Sequence, residues 1–139
     1  MKLFTTFITL NTRGNTDIID ITDKVRLQLK RYNIKEGQVT IFVPGSTGGL
    51  TTMEFEPHLV KDIKDVFEKI APENKEYAHH MAWGDYNGHS HVRASLLGPS
   101  ITVPFKEKKL TLGVWQQIVF IDFDTSNRDR KLVMQIIGE

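Results

Sequence analysis

Four of the chain's five histidines fall within the thirteen residues from His79 to His91. Imidazole exchanges a proton near neutral pH and, when neutral, is the commonest side-chain metal ligand. Its concentration in one stretch points to a metal or acid–base site. The segment Asp85–Ser100 reads DYNGHSHVRASLLGPS, with His89 and His91 two residues apart. On a strand, residues two apart share a face, so both rings would turn to one side. Two ring nitrogens can then meet one ion at about 2.0–2.1 Å, with a third protein ligand and an open position for substrate. His79 or His80 is the candidate third ligand. Asp85 or Glu54 would supply an oxygen ligand or orient an imidazole. The site so read is a divalent ion, Zn or Mg, on His79, His89 and His91. The alternative is a polar loop whose imidazoles are solvated or bonded to backbone.

A second stretch, PGSTGGLTT over Pro44–Thr52, combines three glycines with hydroxyl side chains. Glycines let backbone N–H groups approach an oxyanion, and Ser or Thr adds donors. Gly45, Ser46, Thr47 and Gly48 are therefore candidate phosphate ligands. The P-loop lysine is missing and no clear helix starts directly afterwards, which excludes a Walker loop. A plain glycine-rich turn is the competing reading. Glu54 and Glu56 lie two apart, and one of them suits a general base or a ligand. Arg93 would share the strand face of His89 and His91 and offset charge on a phosphate oxygen. Asn87 precedes Gly88 in a turn signal and would fix a polar group.

These residues need a scaffold. Strand signals cover Lys2–Leu10, Gln38–Val43, Leu50–Phe55, His91–Leu97, Ser100–Phe105, Lys109–Leu112, Gln116–Asp124 and Lys131–Gly138. The run QQIVFIDF is apolar at almost every position, as in a strand buried on both faces. A helix capped by Asp20 or Thr22 runs to about Tyr32, with Ile21, Val25 and Leu29 on one stripe. Pro57 opens a second helix, and Pro72 closes it. Its stripe is Leu59, Val60, Ile63, Val66, Phe67 and Ile70. The segment 71–88 between helix and strands reads as a long irregular loop, usually functional or mobile. Short strands around two main helices predict an α+β fold with a mixed, largely antiparallel sheet system, in a single domain over 1–139.

Composition narrows the function. The 139 residues carry 18 basic and 17 acidic side chains, a net charge of +1, so nothing points to nucleic acid. The absence of cysteine excludes disulfide scaffolds, Cys-type zinc sites, iron–sulfur clusters and thiol nucleophiles. The N-terminal apolar run is short and broken by threonines, too short to span a bilayer. A cytoplasmic protein is the expectation, without membrane or nucleic-acid partners. The apolar runs QQIVFIDF and LVMQIIG would suit burial between subunits or a well-filled monomer core.

NGHSHVRASLLGPSITVPF, then LTLGVWQQIVFIDFD, then a final QIIGE resemble the YjbQ family, uncharacterised protein family 0047. The block from Asn87 to Asp124 is the most specific part. The resemblance implies a compact α+β domain and a homotrimer with a pocket near subunit contacts. It also implies a secondary thiamine-phosphate synthase activity, joining a pyrimidine methyl diphosphate to a thiazole phosphate. Thr47, Glu54, His79, Asn87, His91, Ser100 and Gln116 match polar positions of the family. One departure stands out: the common pattern His-Thr-Thr-Ala-Gly is here Gly45-Ser46-Thr47-Gly48-Gly49, without the histidine. Three functions stay open: the transferase, with His79, His91, Glu54 and Arg93 catalytic; a metal or small-ligand binding trimer without turnover; and a metal-dependent phosphoester or diphosphate hydrolase. All would take a phosphate-bearing small molecule, or a metal, in the same site.

Overall fold

A computed structural model describes Met1–Glu139. Along the chain lie β1 (Lys2–Thr12), β2 (Asp17–Asp20), α1 (Thr22–Lys30), β3 (Glu36–Phe42), β4 (Gly48–Met53), α2 (Pro57–Ile70) and α3 (His80–Trp83). They are followed by α4 (Gly88–Leu97), β5 (Ser100–Lys106), β6 (Lys109–Leu110), β7 (Gln117–Asp122) and β8 (Arg128–Gly138).

Alternation of apolar and polar residues builds the larger sheet. β1 turns Ile8 and Leu10 inward and leaves Leu3 and Phe7 exposed. It pairs antiparallel with β8 from Lys2 opposite Gly138 to Thr12 opposite Arg128. β8 pairs with β3 on its other side, and β5 and β6 complete the order β1-β8-β3-β5-β6. A second sheet has the order β2-β7-β4. Every strand pair is antiparallel, as an α+β fold of this kind requires.

β7 explains the continuous apolar run. Its Ile118 and Phe120 join a core with β1, β3, β8 and the inner stripe Val25 and Leu29 of α1. Its Val119 and Ile121 face a second cluster with Phe67 of α2 and Ala94 of α4. Each face of the strand meets its own apolar layer from Ile118 to Ile121, so those four positions are all apolar. Thr22 Oγ1 accepts from the N–H of Ile118 at 2.9 Å, tying the start of α1 to this strand. α2 begins where Pro57 occupies its first turn, capped by Glu56, whose carboxylate accepts from the N–H groups of His58 and Leu59 at 2.9 and 2.8 Å.

The segment from Gly88 to Leu97 corrects the expected strand His91–Leu97: it is the helix α4. The pattern His-x-His-x-Arg mimics a period of two, but Arg, Ala and Leu favour helix. The carbonyl of Asn87 accepts from the N–H groups of Ser90 and His91, starting the first turn. Gly98, with φ +98°, ends it. Ala94 and Leu97 then lie against β7 and α2. The loop 71–88 also holds one helical turn, α3. No helix is long and apolar enough to cross a membrane.

Candidate functional site

Three segments meet in a cleft of about 580 Å³. The β3–β4 loop brings Pro44, Gly45, Ser46 and Thr47. The stretch around α3 and the start of α4 brings His79, Trp83, Asp85, Asn87 and His91, and Asp124 of the β7–β8 connection joins Arg128 and Arg130 at the start of β8. Residues distant in sequence gather because β4 and β7 are neighbours in one sheet, and Arg130 of β8 reaches Asp122 and Thr47 at their ends.

His79 and His91 face each other with ring centroids 4.5 Å apart. Burial lowers the pKa of His91, and the neighbouring His79 lowers it further, while Asp85 and Asp124 act in the opposite sense. His91 is thus held neutral at physiological pH, fit to accept a proton or donate a hydrogen bond. Asn87, at the first turn of α4, is buried, and its Oδ1 has no hydrogen-bond partner. An unpaired buried acceptor is costly unless something fills it.

The opposite wall is a network of ion pairs. Arg130 Nε and Nη2 donate to the two carboxylate oxygens of Asp122 at 2.8 and 3.0 Å. Nη2 also donates to Thr47 Oγ1 at 2.8 Å. Thr47 Oγ1 in turn donates to Asp124 Oδ2 at 3.0 Å. Arg128 Nε donates to the same oxygen at 2.9 Å. Burial would raise the pKa of Asp124, but the Thr125 N–H, the Thr47 hydroxyl and Arg128 together hold it below the usual carboxylate range.

The structure brings together Gly45, Ser46, Thr47, His79, Asp85, Asn87 and His91, and leaves the other expected residues elsewhere. His89, Gly88 and Ser90 are buried inside the first turns of α4. Side chains two apart on a helix diverge by about 200°, so His89 turns from the cleft, 2% exposed, towards Tyr77. Arg93, expected beside His91, shares the face of His89 instead. It donates to the Ala71 carbonyl, Thr16 Oγ1 and Glu68 at 2.9, 2.8 and 2.7 Å. It ties α4 to α2 and the β1–β2 turn. Glu54 borders a separate groove with Phe55, Val114 and Trp115. Gln116 donates to Thr52 Oγ1 at 3.0 Å and lies in a shallow groove by Thr102. Ser100 is exposed at the start of β5. Gly48 belongs to β4, packed against Phe120.

No three His, Asp or Glu side chains of the chain form a group that could hold an ion. With His89 turned away, the imidazoles left in the cleft are His79 and His91; Asp85 also lines it, but the three do not converge into a ligand set.

Asp124, Arg128 and Arg130 complete the cleft without being marked by residue type. The signal lies in RDR at 128–130: two arginines two apart on a strand share a face, and Asp122 and Asp124, two apart at and just beyond the end of β7, are their acceptors.

A profile of the family described as UPF0047 protein YjbQ-like matches residues 6–139. The chain belongs to the YjbQ family. A UPF0047 protein of Archaeoglobus fulgidus is 37% identical over 130 residues, covering 94% of this chain and 98% of the relative. One from Methanothermobacter thermautotrophicus is 34% identical over 139 residues, covering 100% and 95%. Among solved structures, a YbjQ-like protein of unknown function from Sulfolobus solfataricus superposes with a TM-score of 0.92 at 30% identity, covering 99% of each chain.

Proposed function

We propose that the cleft binds a phosphate-bearing small molecule and supports displacement at a diphosphate. The specific form is the thiamine-phosphate synthase-type transfer that the resemblance implies. One observation carries this reading: the facing imidazoles of His79 and His91, the Asn87 side chain and two arginines line the same cleft as the loop Gly45–Thr47. In the coupling, the thiazole nitrogen forms a bond to the pyrimidine methylene carbon. The carbon–oxygen bond to the diphosphate breaks, and pyrophosphate leaves with the electron pair. The protein needs to hold two rings in line and stabilise the charge on the leaving group. Arg128 and Arg130 face that charge. His79 and His91 hydrogen-bond the transferring or leaving phosphate, and the Asn87 side chain fixes a polar group of a ring. Trp83, 79% exposed at the rim, offers a flat surface to a heterocycle.

The hydrolase reading uses the same set, with neutral His91 taking a proton from water. The binding reading uses it without turnover. A homotrimer belongs to the proposal. The exposed apolar side chains Leu3, Phe7, Phe42 and Ile137 on the outer face of the five-stranded sheet are consistent with it, and light scattering after gel filtration tests it. A divalent ion would enter through His79 and His91, so each assay is run with and without Zn or Mg. Titration calorimetry with the pyrimidine methyl diphosphate and the thiazole phosphate, followed by a turnover assay, decides among the readings. Thiamine phosphate formation supports the transferase, phosphate release without coupling supports the hydrolase, and binding without product supports the third. Absence of binding by either substrate, with or without metal, overturns the proposal.

A further inference from the structure

Arg130 spends only one edge of its guanidinium on the protein. Nε and Nη2 form a fork on Asp122, and the second hydrogen of Nη2 goes to Thr47 Oγ1. Asp122 is fully buried and also accepts from Thr12 Oγ1 at 2.6 Å, so turning the fork would strip a buried carboxylate of its partner. A guanidinium has five N–H donors, and the two on Nη1 have no acceptor in the chain. Nη1 stands against the β3–β4 loop: a Cβ built on Gly45 would lie 3.0 Å from it. Gly45 has no left-handed backbone that would call for glycine. Its own N–H already donates to the Val43 carbonyl at 3.0 Å. What glycine supplies at this position is open space over Nη1. The next two backbone N–H groups, of Ser46 and Thr47, donate to nothing in the chain. Arg128 is held in the same way. Its Nε and Nη2 lie 2.9 Å from Asp124 Oδ2, and its Nη1 is left over.

We infer that this corner is an oxyanion subsite for the terminal phosphate of a phosphate ester or diphosphate. Arg130 Nη1 and the N–H groups of Ser46 and Thr47 are its donors, and Gly45 is the specificity-determining residue that keeps it open. The assignment rests on the phosphate-binding reading above and adds which groups touch the anion. Oxygens of a tetrahedral phosphate can meet a guanidinium edge and a backbone loop from two directions at once, whereas a carboxylate offers two oxygens in one plane.

The test is titration calorimetry of the full chain with inorganic phosphate and inorganic pyrophosphate. R130K keeps a cation against Asp122 but has no Nη1. G45A leaves every ion pair intact and sets a methyl group over Nη1. Each substitution is expected to weaken pyrophosphate binding roughly tenfold or more, the loss of a charge-assisted hydrogen bond. The thermal midpoint of G45A should stay at the wild-type value, which keeps the test valid if R130K folds poorly. G45A that binds pyrophosphate as tightly as wild type overturns the subsite, while wild-type binding leaves the wider reading standing. Wild-type protein that binds neither anion and neither substrate overturns both.

Discussion

Arg93 and Arg130 are both largely buried arginines, and they behave differently. Arg93 gives Nε, Nη1 and Nη2 to three acceptors, two at the end of α2 and one in the β1–β2 turn. Arg130 gives Nε and Nη2 to Asp122 and Thr47 and keeps Nη1 free beside a cleft. Burial and charge alone do not separate a tether from a ligand-facing residue. The count of unspent N–H groups, and where they point, does.

Substitutions can break that distinction, beginning with the largest effect. R130M strands the fully buried Asp122 without its cation and is expected to cost about 3–5 kcal/mol in urea unfolding. A loss near zero would mean the fork on Asp122 is not formed. R93M leaves the Ala71 carbonyl and Thr16 hydroxyl unpaired and should cost about 2–3 kcal/mol, with pyrophosphate affinity in the folded protein changed far less than in R130K. Equal affinity losses in R93M and R130K would erase the contrast. A smaller effect concerns pH. His89 is held below its ordinary pKa, first by burial and next by Arg93. Its folded value lies below its unfolded one, so its contribution is complete above about pH 6.5 and is lost as pH falls through the folded value. H89Q should flatten the fall in stability between about pH 7 and 5, read as urea midpoints across that range. The smallest effect is expected from E54Q, since Glu54 lies outside the cleft of its own chain: pyrophosphate binding should match wild type. A large loss there would show that a neighbouring subunit completes the site.

The strands were legible because their alternation and their turns are local. QQIVFIDF read correctly as a doubly buried strand because burial on two faces leaves an uninterrupted apolar run. The cleft was half legible. Gly45–Thr47, His79, Asn87 and His91 announce themselves by residue type, whereas Arg128 and Arg130 look like ordinary surface charge until they are seen bonded to Asp124, Asp122 and Thr47. The misreading of Gly88–Leu97 has a specific cause. Three polar residues spaced by two suggest a strand, but a turn later Ala94 and Leu97 have to reach the apolar layer beneath them. Only a helix places both there, and it separates His89 from His91.

The fork of Asp122 on Arg130 has a consequence for traffic through the cleft. Because the cation is already neutralised, the empty protein carries no cluster of repelling charge, and nothing in its folding waits for an occupant. Capture then depends on directed N–H groups more than on long-range attraction. Added salt should slow arrival little, and an anion can leave without the fold having to compensate.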